Sequence, residues 1–397
     1  MRCKLCFETI IRSVLSGAFF LFEVSFCHSF CNLLLHKQFL YCNIKQSAFS
    51  IEEGSVQMDS RQILISACRT VELAAQSVRI NRDRITELAQ ELSAKEMTPP
   101  SWRKPVFPEA DDETLVQFLG VGNSINYCFT NFRTHQKFDT EFPEGSASTV
   151  PGAFAMWACF KKALERGIPV LSARFLAEEL DDNMYDLIFA PATTPLPMRE
   201  SRIQNLRATG EALRRWYGGK FLHLFEKADF RVWRRDGLGI IQRLVRHFPS
   251  YAGDVARYPV YGPEIPFHKR AWLLPLMYEG RARDSQRKLP RLQDPERIGP
   301  VCDYDVPKAL RAPGVLVYST PLARLVDEGA PLHRGSIFEI EIRSQTGLAM
   351  DELEHTINKL RTAKGLVPIT QVELDFVVWS LGRDAQGRHH YTKTTAY

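Results

Sequence analysis

The residues best suited to chemistry lie in the run Val301-Cys302-Asp303-Tyr304-Asp305-Val306-Pro307-Lys308-Ala309-Leu310. Asp303 stands among Val301, Cys302, Tyr304 and Val306, side-chain types that tend to go inside. A carboxylate in that company is either paired or working, because burying an isolated charge is costly. A working carboxylate stabilises a developing cation or takes a proton from an attacking water. The structural alternatives are that Asp303 caps a helix begun by Pro307, or pairs with a core arginine. Asp305, so close in sequence, would raise the pKa of Asp303 by like-charge repulsion.

Other polar residues stand in similarly apolar settings. Asn126, in Asn123-Ser124-Ile125-Asn126-Tyr127-Cys128-Phe129-Thr130, must find hydrogen-bond partners. It either orients a loop behind a pocket and touches a ligand, or ties two backbones together. Lys269 and Arg270 follow Phe267-His268. Adjacent helical residues point about 100° apart, so at most one of the two faces a pocket. Asp375 and Phe376 lie in Leu374-Asp375-Phe376-Val377-Val378-Trp379-Ser380. Glu339, Glu341 and Arg343 alternate, so on an extended segment they would share one face as a structural salt-bridge knot. Arg231, Arg234 and Arg235 read as a solvated basic face.

The elements that must position these side chains are mostly helical by periodicity. Ile63, Ala67, Val71, Ala74 and Val78 form one stripe, with Asp59 or Ser60 as N-cap. Ile85, Leu88, Ala89 and Leu92 form a second, stopped by Pro99 and Pro100. Residues 114–129 are apolar but carry Gly120 and Gly122, and their type is ambiguous; 134–151 read as a surface hairpin or loop. Helices are expected at 153–165, 172–180, 201–217, 236–247, 268–280 and 345–362, an apolar segment at 370–381, and a loop at 281–298. No strand–glycine-loop–helix alternation appears, which argues against a doubly wound nucleotide-binding fold. The expected fold class is mainly α: a single large helical domain with a central cleft and one small β-hairpin.

The bulk of the chain is globular in composition, 45% hydrophobic and 24% charged over 397 residues. A formal charge of +5 suits a small anionic substrate and falls short of a dedicated nucleic-acid binder's basic footprint. Residues 1–57 differ, holding Cys3, Cys6, Cys27, Cys31 and Cys42 and the Phe-rich stretch 13–22. Arg2, Lys4 and Arg12 before that stretch resemble a signal peptide, but Glu23 follows at once and no small-x-small cleavage site is clear. The stretch is too short to span a bilayer, which takes about 20 apolar residues. Cys3-x-x-Cys6 and Cys27-x-x-x-Cys31 imitate zinc spacing without zinc-finger punctuation, so no metal site is expected. The compositional break favours an extension outside the fold, with the working domain at 58–397. Cys68, Cys128, Cys159 and Cys302 read as reduced core thiols of an intracellular protein.

Taken with Gly314-Val315-Leu316-Val317-Tyr318-Ser319 and the block Gly335 to Arg343, the Asp303 run resembles the queuosine salvage family, enzymes that cut queuine from queuosine 5'-phosphate. The usual family form is close to Phe-Ala-Asp-Tyr-Arg-x-Pro; Asp303, Tyr304 and Pro307 match, while Val301 and Asp305 replace the Phe and the Arg. The Asn126 block is similar to Asp-x-Leu-Asn-Phe-x-Phe-Trp, with Asn123 and Thr130 as departures. The Asp375 block resembles Leu-Asp-aromatic-x-x-Trp-Asp, with Ser380 at the last place, and Lys104 stands where the family has a His. Phe248-Pro249-Ser250-Tyr251, Gly152, Gly167-Ile168-Pro169 and Trp216-Tyr217-Gly218-Gly219 fall in family order, so the likeness covers nearly all of the chain after Met58.

The resemblance implies a cofactor-free hydrolase with a fold distantly similar to DNA glycosylases. Asp303 would be catalytic; Asp375, Phe376, Asn126, Val301 and Tyr304 would hold the nucleoside, and Lys269 or Arg270 would neutralise the 5'-phosphate. The implied partner is a small-molecule nucleotide, with no stable nucleic-acid complex, no membrane association of residues 58–397, and a cytoplasmic or nuclear location. Two rivals follow from the departures and the basic bias: a diverged member binding or cleaving another nucleoside monophosphate, and a nucleic-acid-binding or glycosylase-like protein.

Overall fold

Helix α1 (Ser60–Glu72) starts with a capping box: Asp59 accepts from the Gln62 backbone N–H at 2.8 Å, and Gln62 accepts from the Asp59 N–H at 2.9 Å. The computed structural model that contains it describes residues 57–190, 194–259 and 262–397. The apolar stretch 13–22 and the cysteine spacings read as zinc mimicry lie outside the described residues. The chain parts into two units, Met1–Gln57 and Met58–Tyr397, and every element named below belongs to the second.

Strand β1 (Val78–Ile80) leads into α2 (Arg82–Ser93), capped by Asn81. A loop past Pro99-Pro100 reaches Asp112, which caps α3 (Glu113–Ser124) by accepting from Thr114 N–H at 2.8 Å. So the ambiguous segment is helix as far as Ser124. Its glycines serve packing rather than turning: a Cβ on Gly120 would sit 2.2 Å from the Phe221 ring, and one on Gly122 would sit 1.8 Å from Trp157. Residues 130–151 form two small antiparallel pairs, β2 (Thr130–Asn131) with β3 (Gln136–Lys137), and β4 (Asp139–Glu141) with β5 (Thr149–Pro151).

Next come α4 (Ala153–Glu165), a π-helical turn Phe175–Glu179 within the expected 172–180 helix, α5 (Asp182–Phe189) and α6 (Arg199–Tyr217). Then follow α7 (Phe221–Lys227), α8 (Ile240–His247), α9 (Pro249–Ala252) and the pair β6 (Ala256–Arg257) with β7 (Glu264–Ile265). Helix α10 (Lys269–Asp284) runs beyond the expected end, into the stretch 281–298 read as loop. The reason is Arg281, which is buried and donates to the carbonyls of Ser101 and Trp102 at 2.8 Å each while pairing with Asp111 at 3.1 Å.

The last third holds α11 (Asp305–Arg311), β8 (Leu316–Tyr318), α12 (Thr320–Glu328), α13 (Ile337–Ala363) and α14 (Gln371–Asp384). Strand β8 pairs antiparallel with the distant β1, Ile80 opposite Leu316. Helix α13 is the core of the molecule, packed by α1 and α2 and buried on every side over 339–351. It therefore absorbs Glu339, Glu341 and Arg343, which the sequence placed on one extended face. On the helix Glu341 points apart from the other two, while Glu339 and Arg343, one turn apart, still pair at 3.5 Å. Glu341 accepts from the N–H groups of Ser77 (2.6 Å) and Val78 (3.0 Å), Glu339 from Gly335 N–H (3.0 Å), and Arg343 binds Asp254. An alternating charge pattern cannot report the period of a helix with no solvent face. Among the described residues no helix is long and apolar enough to cross a membrane.

Candidate active site

Several chain segments converge on one cavity of about 970 Å³, its open mouth included. The N-terminal end of α10 brings Lys269, Leu273 and Met277, spaced four apart on one face. Helix α14 brings Asp375, Trp379 and Arg383 in the same spacing, together with Phe376. Residues 126–130 form another wall, and Val301 to Asp305 (Cys302 excepted), just before α11, close the inner end.

Asp303 is held by the start of α11. Its Oδ1 accepts from the backbone N–H groups of Asp305 at 2.9 Å and Val306 at 3.0 Å. Oδ2 takes no hydrogen bond among the described residues, and the side chain stays partly exposed to the cavity. Capping therefore occupies one oxygen only and does not exclude a working role for the other. Behind it, Arg343 donates Nε to the Cys302 carbonyl at 3.1 Å and pairs both ways with Asp254, at 2.7 and 2.8 Å. Its guanidinium is 4.0 Å from the Phe267 and Tyr397 ring centres. Asp254 also accepts from Lys269 N–H at 2.8 Å, so one buried ion pair anchors both the Asp303 loop and the start of α10. Tyr304 is fixed at its hydroxyl, which donates to the Thr392 carbonyl at 2.6 Å, and its ring lies against Tyr397 at 4.6 Å.

Lys269 is buried and donates to the Asn126 carbonyl at 3.4 Å. Asn126 in turn donates its side-chain amide to Asn123 Oδ1 at 3.0 Å, which is a structural tie at the cavity wall. Asp375 is buried, and its Oδ1 has no hydrogen-bond partner among the described residues. Arg270 turns away from the cavity, donates to the Ser124 carbonyl and lies 4.9 Å from the Tyr127 ring centre. Of the two adjacent cations only Lys269 lines the site, as helix geometry requires.

The three inner charged groups are mutually perturbed. Burial pushes the Asp303 carboxyl up to about 6; the Asp305 charge adds to the rise, while Lys269 and the two backbone donors oppose it. Burial, then the Asp303 charge, holds Asp375 well above the usual carboxylate range. Burial lowers Lys269, against the pull of Asp303 and Asp375. The inner end therefore holds two carboxyl groups, both shifted up by burial, beside an amine shifted down by it.

Aromatic rings line the outer part. Phe376 and Trp379 are stacked at 5.8 Å, with Trp102 edge-on to Phe376 at 5.4 Å and Phe154 edge-on to Trp379 at 6.0 Å. Val301 lines the cavity but supplies no ring. The flat surface a base could stack on comes instead from α14 and α4. Trp102, Phe154, Arg383 and His389 also line the site and were not singled out from sequence, where each reads as ordinary core or surface. Arg202 was likewise missed. It is wholly buried, lies 4.4 Å from the Tyr127 ring centre and donates to the carbonyls of Ile125, Tyr127 and Cys128, which fixes the wall carrying Asn126. Among the described residues no cluster of His, Cys, Asp and Glu is arranged to hold a metal ion.

Residues 106–397 match the family model of the queuosine salvage protein. A protein of Sphaerobacter thermophilus named queuosine 5'-phosphate N-glycosylase/hydrolase is 27% identical over 342 residues, 85% of this chain and 98% of its own length. Proteins of the same name from Bos taurus and Mus musculus are each 28% identical, over 70% of this chain and 78% and 79% of theirs.

Proposed function

The chain belongs to the queuosine salvage protein family, and from that premise we propose that it hydrolyses the N-glycosidic bond of queuosine 5'-phosphate, releasing queuine and ribose 5-phosphate. The observation that carries the reading is the fixed Asp303, one oxygen capping α11 and the other open to a cavity walled by stacked aromatic rings. As the bond breaks, its electron pair leaves with the base and positive charge grows on the sugar. The ionised Asp303 stabilises that charge, or takes the proton of the water that adds to the sugar carbon. Queuine has carbon where guanine has N7, so protonation there cannot assist departure. Asp375, whose pKa is raised by burial and by the Asp303 charge and whose Oδ1 has no hydrogen-bond partner among the described residues, is placed to hydrogen-bond the leaving base instead. Phe376 and Trp379 offer the base a stacking surface. The Lys269 charge opposes the rise of both carboxyl groups.

The test is release of free queuine from queuosine 5'-phosphate by the purified protein, beside Asp303→Asn. Release by the wild type, reduced roughly 10²- to 10⁴-fold in the variant, is expected. A folded wild type that releases no base, or an Asp303→Asn protein at full rate, overturns the assignment.

A further inference from the structure

We infer that Asp305 and His389 form an acceptor pair that takes the two vicinal hydroxyls of the substrate's ribose, so that the cavity selects a ribonucleotide over its 2'-deoxy counterpart. The inference rests on the proposed hydrolysis for the pose of the substrate, but the binding it requires can be measured without base release.

His389 is presented by the segment after α14. Its ring lies 5.0 Å from that of Tyr304 and edge-on to Tyr391 at 4.9 Å. The segment carrying it is tied down at three points. The Tyr391 carbonyl accepts from Leu332 N–H at 2.7 Å, that of Thr392 from the Tyr304 hydroxyl at 2.6 Å, and that of Tyr397 from Cys128 N–H at 3.0 Å. Nδ1 of His389 lies 2.7 Å from the His390 carbonyl oxygen. A carbonyl only accepts, so the proton is on Nδ1 and the neutral ring carries its lone pair on Nε2. Burial lowers the His389 pKa and favours that neutral form, against the Asp305 charge. Nε2 has no partner among the described residues, and His389 lines the cavity.

Asp305 lines the same cavity, and its carboxylate makes no hydrogen bond or ion pair among the described residues. Its charge reaches Asp303 on one side and His389 on the other. Two groups that accept and cannot donate are thus left open at one place, and a ligand group with two donors suits them.

Their position along the cavity identifies those donors. The Asp305 carbonyl abuts Gly382 of α14, where a Cβ has no room. Gly382 is about 10 Å along the helix axis from Asp375. Asp375 and Phe376, which meet the base in the proposed pose, stand at one end of that interval, and Asp305 stands at the other. Asp303 connects the two, accepting from Asp305 N–H at 2.9 Å while its charge reaches Asp375. With the base at Asp375 and the glycosidic carbon at Asp303, the next groups of the ligand are the 2'- and 3'-hydroxyls, and each donates one hydrogen bond. Acceptors fixed for a hydroxyl reject an analogue that lacks it, because one of them is left unpaired.

Two measurements on the full chain test this. One is calorimetric binding of ribose 5-phosphate against 2-deoxyribose 5-phosphate. The other is the ratio of kcat/KM for queuosine 5'-phosphate to that for its 2'-deoxy counterpart. Wild type, His389→Phe, Asp305→Ala and Lys308→Ala are compared, so that the intrinsic lability of the deoxy bond cancels between proteins. His389→Phe keeps a ring against Tyr304 and removes the acceptor. Lys308→Ala changes a charge felt by His389 and removes no acceptor. Wild type should bind ribose 5-phosphate at least tenfold tighter than the deoxy sugar. His389→Phe and Asp305→Ala should each lower both ratios at least tenfold, and Lys308→Ala should lower neither. The pair is wrong if wild type binds the two sugar phosphates equally, if either acceptor variant, folded by circular dichroism, keeps the wild-type ratios, or if Lys308→Ala lowers them as much. If both acceptor variants lose the preference yet wild type releases no base, the pair stands and the proposed reaction falls.

Discussion

In the proposed reaction Asp303 combines two duties that the sequence presented as alternatives. Its Oδ1 accepts two backbone N–H bonds at the start of α11, and its Oδ2 is left for chemistry. Because its pKa stands at about 6, the ionised form is lost as pH falls through that value, and kcat/KM should decline on the acid side of about pH 6. A pH–rate profile flat from 5 to 8 would remove Asp303 from the rate-determining chemistry. Stability runs the other way. The native carboxyl binds its proton more tightly than the unfolded one, whose pKa is about 3.9, so its contribution is whole below that value and is lost as pH rises through about 6. Asp303→Asn carries no such deficit and keeps an acceptor for the cap. It should therefore unfold at no lower denaturant concentration than wild type at pH 8 while losing activity. Clear destabilisation by urea melting at that pH would mean that the residue serves structure first.

Two contacts between elements decide whether that carboxylate is in place. The buried Arg343–Asp254 pair joins α13 to the start of α10 and, through the Cys302 carbonyl, to the Asp303 loop. Arg343→Met would leave Asp254 buried without its partner, and the expected loss is about 3–5 kcal/mol in denaturant unfolding; a change below about 1 kcal/mol would contradict the anchoring role. The second contact is the crossing of α14 and α11. A Cβ on Gly382 would sit 2.1 Å from the Asp305 carbonyl oxygen, so Gly382→Ala must push α11 away from α14. A cost of roughly 1–3 kcal/mol is expected, with a fall in kcat that exceeds any change in an exposed-site control such as Lys95→Ala. Unchanged kcat would show that the Asp303 loop tolerates movement of its helix.

At the scale of the whole molecule, every cavity-lining residue lies within 102–397, and the helix at its centre, α13, is surrounded by elements from both ends of that unit. A protein beginning at Met58 is therefore expected to keep the full rate of base release and a single cooperative unfolding transition; loss of either would assign residues 1–57 a part in the fold. The sequence by itself determined the helical class and most helix positions, because amphipathic stripes and caps are local signals, and its family resemblance singled out Asp303, which lines the cavity. Asp375 and Lys269 were legible as cavity residues through the family blocks that contain them. Tertiary structure alone decided what those charges do. Whether Lys269 meets a phosphate or two carboxylates depends on α10 and α14 approaching each other, although more than ninety residues separate these two side chains along the chain. The pairing of β1 with β8, the full burial of α13 and the approach of His389 to Tyr304 are contacts of the same kind. They arise when distant segments pack, and nothing in the local order of residues encodes which charge will find a partner and which will be left without one.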